Sequence, residues 1–268
     1  MEFKILKYPR TQHLKGSRLQ EGDEDLRQVP FSEILGKHIV IEEKIDGANS
    51  AISFNDKQEL LLQSRGHYLN GGYNERHYNL MKQWANNNKD LFYSVLTTRY
   101  IMYGEWMYAK HTVFYDALPD YFMEFDIFDR EKNVFLDTAS RKEITDKLGI
   151  IHSVPVLAQG VFKAKENILA YLGNSNYITE NHIETLKKLA EKQGLDVERQ
   201  VRETDPSLTM EGLYIKVESD GEVKQRVKFV RNSFYQCVNA SVSHWQQRPI
   251  IPNQLAHDKR KTENEWNY

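Results

Sequence analysis

Glu43-Lys44-Ile45-Asp46-Gly47-Ala48-Asn49 carries the strongest signal in the sequence. It leaves the predicted strand His38–Lys44, which is apolar and β-branched at its centre. A lysine at a strand end can turn its amine into a cleft, and Asp46-Gly47 supplies a sharp turn that lets the backbone approach a ligand. A lone Lys-x-Asp-Gly also suits a surface hairpin with an exposed lysine. The rest of the chain decides between these.

Downstream, strands are predicted over 50–54 and 59–64, joined by a turn at Asn55-Asp56-Lys57, then over 99–105, 121–128, 212–218 and 223–230. Helices are predicted from an Asn74 cap to Trp84, over Lys89–Leu96, over 140–148 ended by Gly149, and over 179–193 closed by Gly194. Ile183, Leu186, Leu189 and Ala190 give the last of these an apolar stripe. Residues 1–36 read as a polar, turn-rich extension in which Gly22-Asp23-Glu24-Asp25 is a solvated turn. Strands and helices mix without regular βαβ alternation. The fold class is therefore α+β with largely antiparallel sheets.

The 268 residues are enough to bury a core without staples. Hydrophobic residues at 40% and charged residues at 28% exclude a disordered chain. Lys and Arg number 36 against 38 Asp and Glu, which argues against wholesale electrostatic binding of nucleic acid but leaves room for a local basic groove. The single cysteine, Cys237, excludes an internal disulfide and a cysteine-rich zinc site, and suits a reducing cytoplasm. No apolar stretch approaches the length of a membrane span.

Further short motifs follow Lys44 in order: Ser64-Arg65-Gly66, Tyr103-Gly104-Glu105-Trp106, Glu124-Phe125-Asp126-Ile127, Glu211-Gly212-Leu213-Tyr214-Ile215-Lys216 and Arg226-Val227-Lys228-Phe229. Each sits at or near the end of a predicted strand. The ordered set, spanning residues 44–228, resembles the covalent nucleotidyltransferase superfamily of polynucleotide ligases and mRNA capping enzymes. Within it, Glu-Lys-Ile-Asp-Gly-Ala-Asn and the Phe-Asp-Ile strand look most like the RNA ligase family, in the branch of phage type 2 RNA ligases and RNA-editing ligases.

The resemblance implies an adenylation domain with sheets and helices around a nucleotide cleft, ATP as co-substrate, and Mg²⁺ or Mn²⁺. Lys44 matches the lysine that forms a lysyl–AMP phosphoramidate. A lysine amine titrates near ~10.4, so it needs neighbouring cations or desolvation to become a nucleophile. Arg226 and Lys228 are expected to assist catalysis, and Lys216 with Lys228 to neutralise the triphosphate. Arg226 stands where many family members carry a lysine, which keeps the charge and changes the geometry. Arg65 would contact ribose, phosphate or the strand end. Glu105 would accept from the ribose hydroxyls, and Phe125 would stack on adenine, a contact worth about 1–3 kcal/mol. Glu211 is the candidate metal-binding acid. Glu43 is expected to help read adenine. Asn49 is expected to help position phosphate or the polynucleotide end, and Asp46 belongs to the same nucleotide-binding set. His111 reads as structural.

The predicted domains are a nucleotidyltransferase domain over 1–231 and a short C-terminal extension over 232–268, helical over 232–246 and too short for an OB-fold. Lys7, Arg10, Lys15 and Arg18 are candidates for extra strand contacts. The resemblance implies RNA with 5′-phosphate and 3′-hydroxyl ends as substrate. A DNA or mixed-duplex nick ligase, a silent RNA-binding module and an adenylyltransferase for another substrate are the alternatives.

Overall fold

The computed structural model of the chain describes residues 5–19, 22–23, 25–234, 237 and 248–256. Its first half contains β1 (Gln12–Leu14), β2 (Gln28–Val29), β3 (His38–Lys44), β4 (Ala48–Phe54), β5 (Leu60–Ser64), α1 (Asn79–Asn87), α2 (Lys89–Leu96), β6 (Tyr100–Trp106) and β7 (Phe122–Asp129). There follow β8 (Val134–Phe135), α3 (Thr138–Leu148), β9 (His152–Ser153), β10 (Val156–Val161), α4 (Lys165–Leu169), α5 (His182–Lys192), α6 (Val197–Arg202), β11 (Gly212–Ser219) and β12 (Glu222–Val230).

The strands form two sheets, ordered β10-β3-β11-β12-β1-β2 and β5-β4-β6-β7-β8, with β9 beside β7. Pairing is antiparallel except where β1 meets β12 and β2, and where β9 meets β7. The class is α+β with largely antiparallel sheets flanked by helices.

Alternation along β3, β11 and β12 builds two different faces. Ile39, Ile41, Leu213, Ile215 and Val227 point outward into a core shared with Leu14, Val29 and Ile168 of α4. The residues between them, Glu42, Lys44, Tyr214, Lys216, Arg226 and Lys228, face the second sheet. That sheet buries its far side against α1, α2 and α3 through Ile52, Phe54, Met102, Trp84, Phe92 and Ile144. Tyr8, Tyr103, Phe125, Phe128 and Phe234 fill the space between the sheets.

Ile45-Asp46-Gly47 carries the chain from one sheet to the other. A Cβ on Gly47 would stand 2.5 Å from the sulfur of Met107 and 3.1 Å from the Cβ of Glu105, so the turn needs glycine to lie this close to β6. Gly212 is tighter still. It pairs with Lys44 on one side and Val230 on the other, and a Cβ there would stand 2.0 Å from the carbonyl oxygen of Phe229. Gly212→Ala is expected to cost about 2–3 kcal/mol of stability. Urea denaturation reads this directly, and an unshifted midpoint would contradict the packing.

The structure adds β8, β9, β10, α4 and α6 to the elements read from the sequence, and differs from that reading elsewhere too. The predicted helix from Asn74 begins instead as a 3₁₀ stretch, Tyr73–Tyr78, before α1. The Glu75 carboxylate accepts from the backbone of Asn70 and Gly71 and tightens that turn. Helix α3 starts ahead of the predicted 140–148 because the Asp137 side chain caps it through the amide of Ser140. Within 1–36, β1 and β2 extend the first sheet, and Tyr8 is buried between the sheets. Residues 248–256 return to the domain: Asn253 bonds Tyr115 and Met107, and Ile251 packs on Phe114 and Leu186. Of the helix predicted over 232–246, only 232–234 and Cys237 are described; Val238 and Trp245 lie outside the described residues. Among the described residues, no helix is long and apolar enough to cross a membrane.

Candidate active site

Seven residues predicted from five motifs line one cavity between the sheets. Glu43 and Lys44 come from the end of β3, Asn49 from β4, Arg65 from just beyond β5, Glu105 from β6, Phe125 from β7 and Lys228 from β12. Strand ends converge here because β3 and β4 are continuous through the Gly47 turn and belong to opposite sheets. A wider depression at Trp84, Asn88 and Ile150 holds none of the predicted site residues.

Lys44 Nζ donates to Glu211 Oε2 at 2.8 Å. Burial disfavours the ammonium, but Glu211, then Glu105 and Asp46, more than offset this and raise its pKa above that of an ordinary lysine. Burial pushes the Glu211 carboxyl up to about 7 against the pull of Lys44. The lysine therefore rests as a charged, half-buried ion pair, and must lose a proton before it can attack anything.

Glu105 lies opposite Asn49 across the β4–β6 pairing. Its Oε2 and Asn49 Oδ1 are buried without a hydrogen-bond partner among the described residues. Orphaned acceptors cost free energy unless a ligand supplies donors. Burial pushes the Glu105 carboxyl up to about 8 against Lys44 and Arg65. A folded-state pKa above the unfolded value means that the neutral form favours folding. That contribution is intact below about pH 4.5 and is lost as pH rises through about 8. Glu105→Gln is therefore expected to be about 1–3 kcal/mol more stable than the wild type at pH 8. Thermal unfolding across pH should show the gain vanish in acid, and a variant no more stable at pH 8 would contradict it.

Lys228 Nζ donates to Asp23 Oδ2 at 2.7 Å, and Asp23 also meets His13 Nε2 at 3.0 Å and Arg10 at 3.2 Å. These partners overcome its burial and hold Asp23 well below the usual carboxylate range. The turn expected to be solvated is therefore tied to the cavity through Asp23. Burial, with Lys44 nearby, lowers the Lys228 pKa.

Three predicted nucleotide or catalytic residues lie outside the cavity lining. Asp46 Oδ2 accepts from the amides of Thr112 and Val113 at 2.8 and 2.9 Å, and its Oδ1 stands 3.7 Å from His111 Nδ1. It thus anchors the loop beneath the Lys44 turn. Lys216 is fully buried, 2.8 Å from Glu42 Oε2 and 3.4 Å from Asp126 Oδ1, and donates to the carbonyl of Phe125. Arg226 donates to Asp126 Oδ2 at 2.7 Å and lies over the Phe135 ring at 3.8 Å. Both face the second sheet, where Glu42, itself on the cavity lining, and Asp126 require cations. Arg141 completes this cluster, at 2.8 Å from Glu42 and 3.4 Å from Glu124. Glu43 does line the cavity, yet its carboxylate is already held by Ser175 and Asn176.

Among the described residues, no three His, Cys, Asp or Glu side chains assemble into a metal cage. Glu211 beside Lys44 fits the other arrangement, in which one carboxylate, substrate phosphates and water share a Mg²⁺ ion. Sequence reasoning missed the polar residues Tyr8, Thr11, Glu42 and Tyr214, which also line the cavity. Tyr214 was inside a quoted motif; Tyr8 and Thr11 carried no local signal.

The RNA ligase family matches the chain over residues 37–230, and the chain belongs to that family. Among solved structures, it resembles a mutant of the Naegleria gruberi RNA ligase with AMP and Mn at 17% identity and a TM-score of 0.55, covering 88% of this chain and 59% of that one. The same ligase with PPi aligns at 16% identity and a TM-score of 0.50, over 87% and 57% of the two chains. A further mutant with ATP and Mn aligns at 17% identity and a TM-score of 0.51, over 78% and 53%. These likenesses carry the fold, and the chain spans little more than half the length of those structures. A comparison with curated proteins finds no match.

Proposed function

We propose that this member of the RNA ligase family is an ATP-dependent enzyme that joins 5′-phosphate and 3′-hydroxyl RNA ends through a lysyl–AMP on Lys44. The observation that supports it best is the meeting of Lys44, Asn49, Arg65, Glu105, Phe125 and Lys228 at one cavity, with Glu211 on the lysine.

In the first step, deprotonated Lys44 Nζ attacks the α-phosphorus of ATP, a P–N bond forms, and the bond to pyrophosphate breaks. Glu211, 2.8 Å away with a carboxyl pushed up to about 7, already shares the hydrogen bond along which the lysine proton leaves. In its ionised form, before it takes that proton, Glu211 would hold a divalent cation, Mg²⁺ or Mn²⁺, which would supply charge neutralisation at the phosphates. Lys228 and Arg65 face the same phosphates from β12 and the end of β5. Glu105 and Asn49 offer their orphaned oxygens to ribose hydroxyls, and Phe125 stacks on the base. In the second step, a 5′-phosphate oxygen attacks the lysyl–AMP phosphorus, and Lys44 leaves as the amine. In the third, a 3′-hydroxyl attacks the activated 5′-phosphate, a phosphodiester forms, and AMP departs. Residues 1–231 act as the adenylation domain in this scheme, with 232–268 as an extension to it.

The test is ligation itself. With ATP and Mg²⁺, 5′-phosphorylated RNA ends should yield adenylylated ends and joined product. Joining of DNA ends alone would overturn the RNA assignment. Absence of both adenylylated and joined strands, RNA or DNA, would overturn the ligase reading.

A further inference from the structure

The residue that holds Lys228 in the cavity comes from the opposite end of the chain. His13 of β1 stands opposite Lys228 in the β1–β12 pairing. After β1 the chain turns back, with the Ser17 amide donating to the Leu14 carbonyl at 2.9 Å. This sets the Ser17 hydroxyl 2.8 Å from His13 Nδ1, where it also accepts from the Val230 amide at 2.9 Å. The other ring nitrogen, His13 Nε2, lies 3.0 Å from Asp23 Oδ2, the oxygen that accepts from Lys228 Nζ at 2.7 Å. Arg10 meets the second Asp23 oxygen at 3.2 Å.

Each hydrogen in this chain has one place. Burial opposes the charge on Asp23, but Lys228, His13 and Arg10 hold its carboxyl well below the usual carboxylate range, so it only accepts. His13 is fully buried, and burial lowers its pKa against the pull of Asp23. The neutral ring carries one hydrogen. That hydrogen belongs on Nε2, facing the carboxylate, and Nδ1 takes the Ser17 hydrogen. Asp23 is therefore tethered through His13 and Ser17 to the backbone of β12, the strand that carries Lys228.

Lys228 depends on that tether. It is buried, and burial followed by the Lys44 ammonium lowers its pKa, against Asp23 and then Glu211. Tyr214, opposite it on β11, stays protonated, and Arg65 and Glu105 stand elsewhere on the cavity lining. Among the described residues, Asp23 is the one hydrogen-bond partner of the Lys228 ammonium. Without it, a buried cation would face a second cation and release its proton more readily. We infer that Asp23, oriented by His13, is a positioning residue that keeps Lys228 charged and in place on the cavity wall. Use of that charge on ATP phosphates rests on the proposed function; the hold on Lys228 does not.

The test has two readouts. NMR of ¹³Cε-labelled lysines follows the ionisation of Lys228 without turnover, with Lys228→Arg to assign the signal. Asp23→Asn, which keeps the shape of the side chain, should lower that titration by at least about one pH unit, and Asp23→Ser should do the same. The initial rate of labelling by α-labelled ATP should then decline at least about one pH unit earlier on the alkaline side. Lys228→Arg added to Asp23→Asn carries a charge at every pH tested and should restore that side of the profile. An Asp23 that only braces the fold would lower the rate evenly across pH. A Lys228 titration unmoved in the Asp23 variants, or an evenly lowered rate, overturns the inference. If the titration moves but the wild type takes no label, Asp23 keeps its role and the ligase chemistry falls.

Discussion

Replacing Lys44 with alanine should leave a folded protein that retains no label from α-labelled ATP, a loss of at least about three orders of magnitude in adenylyl transfer. The alanine removes the nitrogen that forms the P–N bond in the proposed first step. It also strands Glu211, whose carboxyl already sits at about 7 and simply takes a proton once the ammonium is gone. Lys44→Arg sharpens the result. Arginine keeps a cation beside Glu211 but does not deprotonate, so it should restore stability without restoring label. Label retained by Lys44→Ala would move the nucleophile elsewhere.

The second large effect is on stability. Lys216→Met should lower folding stability by about 3 kcal/mol, because it removes the cation shared by buried Glu42 and Asp126 and leaves each with one arginine partner. A lysine whose task was to hold triphosphate would behave differently: its loss would raise KM for ATP and leave the urea midpoint in place. Adding Glu42→Gln to Lys216→Met should recover part of the loss, since it removes one of the two buried carboxylates that lose this cation and leaves Arg141 and Arg226 to balance the rest. An unchanged midpoint for Lys216→Met would return Lys216 to the nucleotide.

These two lysines mark how far sequence reasoning reached. Lys44 was legible because its neighbours in the chain, the Asp46-Gly47 turn and a β-branched strand, are local features. Convergence with Glu105 and Phe125 was legible only through the order of several motifs together. Strand alternation in β11 and β12 turns Lys216 and Arg226 toward the second sheet, but alternation carries no information about depth. Whether a side chain at that face meets a phosphate or a buried carboxylate depends on Glu42 and Asp126, far away in the chain. The surroundings of Asp46 were hidden for a related reason: Thr112 and Val113 amides claim its carboxylate, and nothing near Asp46 announces them. Strands β1 and β2 are three and two residues long, too short for a period to show. The hydrogen bonds of Tyr8 to Asp126 and Tyr214 join residues 118 and 206 positions apart, which no local pattern can encode.

The central claim is a covalent bond between Lys44 and AMP. Mass spectrometry of the wild-type chain after incubation with ATP and Mg²⁺, followed by peptide mapping, tests it most directly. The account predicts one AMP per chain, lost in acid and carried on the peptide containing Lys44. An unmodified chain, or AMP on a peptide without Lys44, would contradict it.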